Sequence, residues 1–221
     1  METCFLYINY TCLQYPDVRL RMRDGSKLRG FFAKKYSSEE LMHNHREDMN
    51  IYRYPLVQYK VIDGIPTLLG LDEGSNLILD IGICEEELNI EGTRFCLDRA
   101  EIITESTIFG TTDKISQYVF KTPWLALNQE NITKYNAADE IEKDDLLTKI
   151  LIGNLLSMAK YLNFRVEDEI RVKLNVKPMR LNFKGKVMVG FRGEFKSNFS
   201  LPNYIGIGKS VSRGYGSIKK I

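Results

Sequence analysis

Hydrophobic and polar positions alternate from the start of the chain, where Phe5, Tyr7 and Asn9 fall on one side and Leu6, Ile8 and Tyr10 on the other. An apolar–basic alternation through Val18-Arg19-Leu20-Arg21-Met22-Arg23 predicts a half-buried strand, ended by Asp24-Gly25. Ser26 then stands where a helix N-cap would, with Leu28, Phe31, Phe32, Lys35 and Tyr36 on one side of the short helix it would open. Residues 37–50 are polar and read as a loop, with room for one more helical turn. β-rich stretches at 52–62 and 65–71 flank Asp63-Gly64, a pair that favours a tight hairpin turn. Strand-like segments follow at 76–83 and 100–109.

Thr111-Thr112-Asp113 interrupts the pattern and sets the expected boundary between domains 1–113 and 114–221. Beyond it, residues 118–127 read as a strand. Leu146/Leu147, Ile150/Leu151, Leu155, Met158/Ala159 and Leu162 then recur at helical spacing, predicting a helix over 143–163 with one broad apolar face. Residues 170–177 return to a strict period of two, with the Arg, Lys and Asn set facing outward. Val187, Val189, Phe191 and Phe195 repeat that pattern, and a short strand is expected at 217–221. Each half offers strands, a helix and a hairpin in an order compatible with βαββαβ, so the expected class is α+β with tandem ferredoxin-like (RRM-like) antiparallel sheets. The open face of such a sheet is a frequent RNA platform.

With 221 residues, 43% of them hydrophobic and 11% aromatic, the chain is long enough to bury two cores. No apolar run approaches the roughly 20 residues that span a bilayer, and Met1-Glu2-Thr3-Cys4-Phe5 lacks the basic start of a signal peptide. The expectation is a cytoplasmic protein with no membrane partner. Cys4, Cys12, Cys84 and Cys96 show no CxxC spacing and read as reduced, mostly buried thiols. The formal charge of +2 is unevenly placed. Residues 171–221 hold twelve Lys or Arg against one acid, Glu194, which leaves a net charge of −9 on the 170 residues before them. Such a basic segment suits a polyanion, although a solvated strand face would have the same composition.

Two segments could carry chemistry. The first is the glycine-rich stretch from Tyr204 to Gly216, in which Gly206-x-Gly208 and Gly214-x-Gly216 enclose Lys209, Ser210, Ser212 and Arg213. It is not a P-loop, because Asn203 stands where the first glycine is needed. Nor is it a dinucleotide fingerprint, because Val211 replaces the third glycine and too little chain follows. Glycine lets backbone N–H groups approach an anion, and the basic and hydroxyl side chains suit phosphates; a plain turn is the structural alternative. The second is His43-Asn44-His45, which holds the only two histidines. Imidazoles exchange protons near neutrality, so a pair could serve as base for a ribose 2′-OH and acid for a departing 5′-oxygen. An i,i+2 pair shares a side on an extended segment but not on a helix. A metal pair would have only Glu47 and Asp48 as added hard ligands, and two exposed loop histidines without a role would look the same.

The glycine arrangement near the C-terminus resembles the signature loop of CRISPR-associated repeat-processing endoribonucleases, the Cas-six family of the RAMP superfamily. Leu28-Arg29-Gly30-Phe31 before a histidine-bearing loop, and Tyr54-Pro55-Leu56-Val57-Gln58-Tyr59-Lys60 after it, are similar to the b-type subgroup in particular. The resemblance implies a metal-independent endoribonuclease that cleaves CRISPR precursor RNA within its repeats, with no cofactor. His43 and His45 would be catalytic with Tyr52, Tyr54 competing for the tyrosine role. Lys34, Lys35, Arg46, Arg171, Lys173, Arg192, Gly206, Gly208, Lys209, Ser210, Arg213, Gly214 and Gly216 would contact RNA. Effector-complex subunits are candidate further partners, and the family includes both monomers and homodimers. The competing reading is a RAMP-type subunit that binds guide RNA without cutting it. Trp124 is expected in the core rather than as a base-stacking platform.

Overall fold

The computed structural model describes residues 5–43, 45–46, 49–50, 54–183 and 185–221, and of residues 43, 45, 46, 49, 50 and 183 the backbone alone. The chain forms two compact units. One comprises residues 7–107 with Val211–Gly214, the other residues 1–6, 108–210 and 215–221.

The N-terminal unit opens with β1 (Phe5–Gln14), a 3-10 turn (Met22–Asp24) and α1 (Gly25–Lys35). Next come α2 (Glu40–His43), the short strands β2 (His45–Arg46) and β3 (Met49–Asn50), and the hairpin β4 (Val57–Ile62) and β5 (Ile65–Leu71). Asp63 and Gly64 both have positive φ, 52° and 85°, as a tight hairpin turn requires. α3 (Glu73–Cys84), a small hairpin of β6 (Glu87–Ile90) and β7 (Thr93–Cys96), and β8 (Glu101–Phe120) follow. The strands lie in the antiparallel order β4-β5-β1-β8. Leu13, Leu28, Phe32, Tyr59, Leu68, Ile78 and Ile81 are buried between sheet and helices.

Four local expectations are corrected, the first being cysteine burial: Cys12 is buried, but Cys84 and Cys96 are exposed. Residues 76–83 are not a strand but belong to α3, where Gly74, Ser75, Ile78 and Ile81 form the buried side. A short isoleucine-rich run fits either period, and the tertiary context decides it. The alternation at 18–23 buries Val18 without joining a sheet; one bond from the Leu20 N–H to the Gly64 carbonyl (2.9 Å) holds it before the 3-10 turn. α1 begins at Gly25, so Ser26 lies inside the helix, and the carboxylate of Asp24 accepts from the Arg21 N–H at 3.0 Å.

The C-terminal unit takes the end of β8 as its first strand, then α4 (Gln129–Ala137), α5 (Glu140–Tyr161), β9 (Val172–Phe183), β10 (Lys186–Ser200) and β11 (Ile218–Lys220). Its order, β9-β10-β8-β11, repeats that of the N-terminal unit. Both units are therefore ferredoxin-like. Between β10 and β11, where the N-terminal unit has α3, the chain runs through the glycine-rich stretch. α5 starts at a reciprocal Asp139–Glu142 capping box, with bonds of 2.9 and 3.0 Å. It buries Leu147, Leu151, Leu155 and Met158. Trp124 is core as expected: it is fully buried, stacks on Phe120 at 5.5 Å and donates to Asn154 Oδ1 at 3.2 Å. Among the described residues no helix is long and apolar enough to cross a membrane.

Candidate nucleic-acid interface

The open face of the C-terminal sheet follows from register. Phe195 pairs with Tyr118 and Leu174 on the covered side, so the intervening positions face outward. Along β9 these are Lys173, Asn175 and Lys177; along β10 they are Lys196, Glu194 and Arg192, each opposite its partner in that order. Gln117 and Val119 of β8 continue the face, and Lys219 of β11 pairs with Val119. Five cations thus share it with one acid, Glu194, which accepts from Gln117 Nε2 at 2.9 Å. Lys173 and Arg192 come together here. Arg171, just before β9, is exposed, and its N–H donates to Asn198 Oδ1 at 2.8 Å. Lys177, Lys196 and Lys219 are additions, and the period of two in residues 170–177 already carried the signal for the first of them.

Packing accounts for part of the glycine pattern. A Cβ on Gly216 (φ +66°) would sit 1.9 Å from the Ile207 carbonyl oxygen, and one on Gly208 (φ +88°) 2.7 Å from Trp124 Nε1. The Ile207 N–H donates to the Gly216 carbonyl, the Lys209 N–H to Leu125 and the Gly216 N–H to Pro123, while Gly206 bridges to Ser217. Lys209 Nζ donates to the Leu127 carbonyl at 3.2 Å, and burial lowers its ammonium from the ordinary lysine value. Ser210 adopts a positive φ of 58°.

Residues 211–214 pack within the N-terminal unit. There the 3-10 turn Val211–Arg213 lies against α1: a Cβ on Gly25 would be 3.0 Å from the Arg213 carbonyl oxygen. A Cβ on Gly214 would be 3.4 Å from the Tyr59 carbonyl oxygen. The Arg29 guanidinium is held below its ordinary value, by burial first and then by Arg213. Tyr59, close enough to Arg29 to offset part of that, has its hydroxyl 3.4 Å from the Met42 carbonyl, the residue before His43. In the sequence Arg29 stands out only within the segment Leu28-Arg29-Gly30-Phe31; its approach to Arg213 spans more than 180 residues and leaves no local trace.

His43 is the last residue of α2 and His45 the first of β2, paired with Asn50. The catalytic reading calls for a loop or strand at both histidines; His45 is in a strand, whereas His43 ends a helix. Arg46 is in β2 opposite Met49, and Tyr52 lies outside the described residues. Tyr54 is buried, its hydroxyl accepting from Gln58 Nε2 at 2.9 Å. Lys35 is committed to the buried carboxylate of Glu85, which also accepts from the Tyr36 hydroxyl at 3.2 Å. Lys34 is exposed in the last turn of α1 beside a groove of about 660 Å³.

Comparison with known proteins fits this architecture. The model of the Cas6b N-terminal domain matches residues 6–108, and that of the Cas6b C-terminal domain matches residues 110–221. A protein from Methanocaldococcus jannaschii named as uncharacterized is 40% identical over 136 residues, covering 61% of this chain and 92% of that protein. A crystal structure of Cas6b is 45% identical and covers 98% of this chain and 100% of its own, with a TM-score of 0.94. Another, of a CRISPR RNA processing endoribonuclease Cas6b, is 42% identical with the same coverage and a TM-score of 0.80. A RAMP protein binding different RNA substrates shares the fold alone, at 12% identity and a TM-score of 0.56. Both halves match their counterparts in order and together span nearly all of the sequence: the chain belongs to the Cas6b family.

Proposed function

We propose that this protein is an endoribonuclease that cuts CRISPR precursor RNA within its repeats by 2′-OH transesterification. The products would be a 5′-OH and a 2′,3′-cyclic phosphate, with no metal required. The observation that carries the reading is the return of Arg213 to the N-terminal unit. There it meets Arg29, in the unit whose chain also holds His43 and His45. Two neighbouring guanidiniums make an anion subsite, and each can bind a phosphate oxygen pair in bidentate fashion. Removing the 2′-OH proton and protonating the leaving oxygen falls to His43 and His45, each role typically worth about 10²–10⁴-fold. Tyr52 assists at the phosphate. The basic face with Lys173, Lys177, Arg192, Lys196 and Lys219 holds the flanking backbone, with Arg171, Lys209 and the glycine-rich stretch adding phosphate contacts.

Labelled repeat RNA incubated in EDTA with wild-type protein and with the H43A/H45A variant tests this. A single cut ending in a 2′,3′-cyclic phosphate, lost in the variant while binding persists, is the expected result. Tight binding without any cut by wild type would overturn the enzyme reading in favour of a non-cleaving RNA subunit.

A further inference from the structure

Lys60, in the middle of β4, is fully buried, and among the described residues its ammonium meets only neutral oxygens. Nζ donates to Gln58 Oε1 at 2.8 Å and approaches the Val211 carbonyl at 3.4 Å. Burial brings the ammonium down to about 7, against a smaller opposing pull from the Cys12 thiol on β1. A methionine of similar length would fill the same space at less cost, because an ammonium without a carboxylate partner loses much of its hydration. Stability therefore does not explain the residue.

Its two contacts lead to the two segments that matter. Val211 opens the turn that presents Arg213 to Arg29, and those guanidiniums repel each other. A bond to the Val211 carbonyl holds the turn on β4 against that repulsion before any RNA arrives. At the other end Gln58, also fully buried, donates from Nε2 to the Tyr54 hydroxyl at 2.9 Å and to the Pro55 carbonyl at 3.1 Å. Tyr54 and Pro55 follow the histidine-bearing segment directly. One buried polar chain thus runs from the Arg213 turn through Lys60 and Gln58 to the strand entry beyond the histidines, all within the N-terminal unit.

We propose that Lys60 is a positioning residue for RNA cleavage, fixing the Arg213 turn and the end of the histidine segment in one register through Val211, Gln58 and Tyr54. The inference rests on the function proposed above. Its test is a double-mutant cycle of Lys60→Met and Arg213→Ala, read as single-turnover cutting and affinity on repeat RNA, with melting curves alongside. K60M should melt no lower than wild type yet lose about tenfold in cutting and affinity, and should add little to R213A, as expected of residues acting as one unit. A merely structural lysine would instead lower the melting temperature and multiply its loss with that of R213A, which overturns the proposal. So does K60M cutting at the wild-type rate. Should K60M fail to fold, Gln58→Leu carries the same test, because it breaks the link to Tyr54 and leaves the Val211 contact. If wild type binds repeat RNA but never cuts, the function reading fails, and the cycle in affinity alone still decides the role of Lys60.

Discussion

Replacing Lys196 with glutamine should stabilise the protein and weaken its hold on RNA. Lys196 stands directly opposite Lys173, and Arg192 directly opposite Lys177, with all four side chains exposed. Cross-strand pairs are worth roughly 0.2–1 kcal/mol, and like charges directly opposite oppose folding. Glutamine keeps most of the side-chain length and removes the repulsion. Glu194 keeps its bond from Gln117 at 2.9 Å, so the substitution strands no acid. At about 2–4 °C per kcal/mol for a chain of this size, the melting temperature should rise by up to about 4 °C. Five phosphate contacts on a single strand would give a slope of log K against log salt of about −3.5, and the loss of one would make it shallower by about 0.7. Fluorescence anisotropy with labelled repeat RNA between about 50 and 200 mM salt measures that slope. An unchanged slope and affinity together with a lower melting temperature would refute the reasoning, because the lysine would then serve the sheet and not an anion.

Three further outcomes follow from the same geometry. Gly216→Ala puts a methyl 1.9 Å from the Ile207 carbonyl oxygen at a φ of +66°, so calorimetry should show a loss of more than about 1 kcal/mol. A melt like that of wild type would show the turn to be freely remodelled. Lys35→Met leaves the buried Glu85 carboxylate without its cation. It should therefore lower the melting temperature with little change in RNA affinity, and the reverse pattern would return Lys35 to the RNA interface. Lys60 holds its proton only up to about pH 7 when folded, whereas the unfolded chain keeps it to about 10.4. The unfolded state therefore binds more protons in between, and stability rises with pH from about 7. Cys12, pushed up from 9.0 to about 11, works in the opposite direction above pH 9, so the net rise belongs to pH 7–9. Urea titrations should show this rise in wild type and lose it in K60M; an equal rise in both would assign it to other groups.

The strands with one wet face were legible because a period of two survives whatever the neighbours are. β9 and β10 and the hairpin around Asp63-Gly64 all follow it, as α5 follows its period of 3.6 and its capping box. The failures have the same physical root. β8 runs unbroken over twenty residues, yet Asp113, Lys114 and Ile115 are exposed within it, so its middle reads as a break. α3 is an isoleucine-rich run whose local preference is extended, and its burial at Ser75, Ile78 and Ile81 is imposed by the sheet beneath. The candidate interface was legible where it lies on one strand, at Lys173, and not where it depends on the chain returning. No window of sequence places Arg213 beside Arg29 or Val211 above Lys60.

Those returns are also where the fold gives up stability. A sequence chosen for folding alone would not place Lys opposite Lys and Lys opposite Arg on one sheet face, bring Arg213 within electrostatic reach of Arg29, or bury an ammonium between an amide and a carbonyl. Each arrangement is locally unfavourable, and each would be relieved by, or would prepare for, a polyanion. On the proposed function, phosphates would neutralise the sheet face and the arginine pair, and the buried lysine would hold one of those arginines ready for them. Lys35 is the internal control. It is exposed like the lysines of the sheet face, but it is matched by the buried carboxylate of Glu85, and its place in the fold needs no ligand to justify it. The positive charges proposed for the RNA path are therefore ones that oppose each other within the fold, and opposition among charges is a sharper guide to a candidate interface than their number.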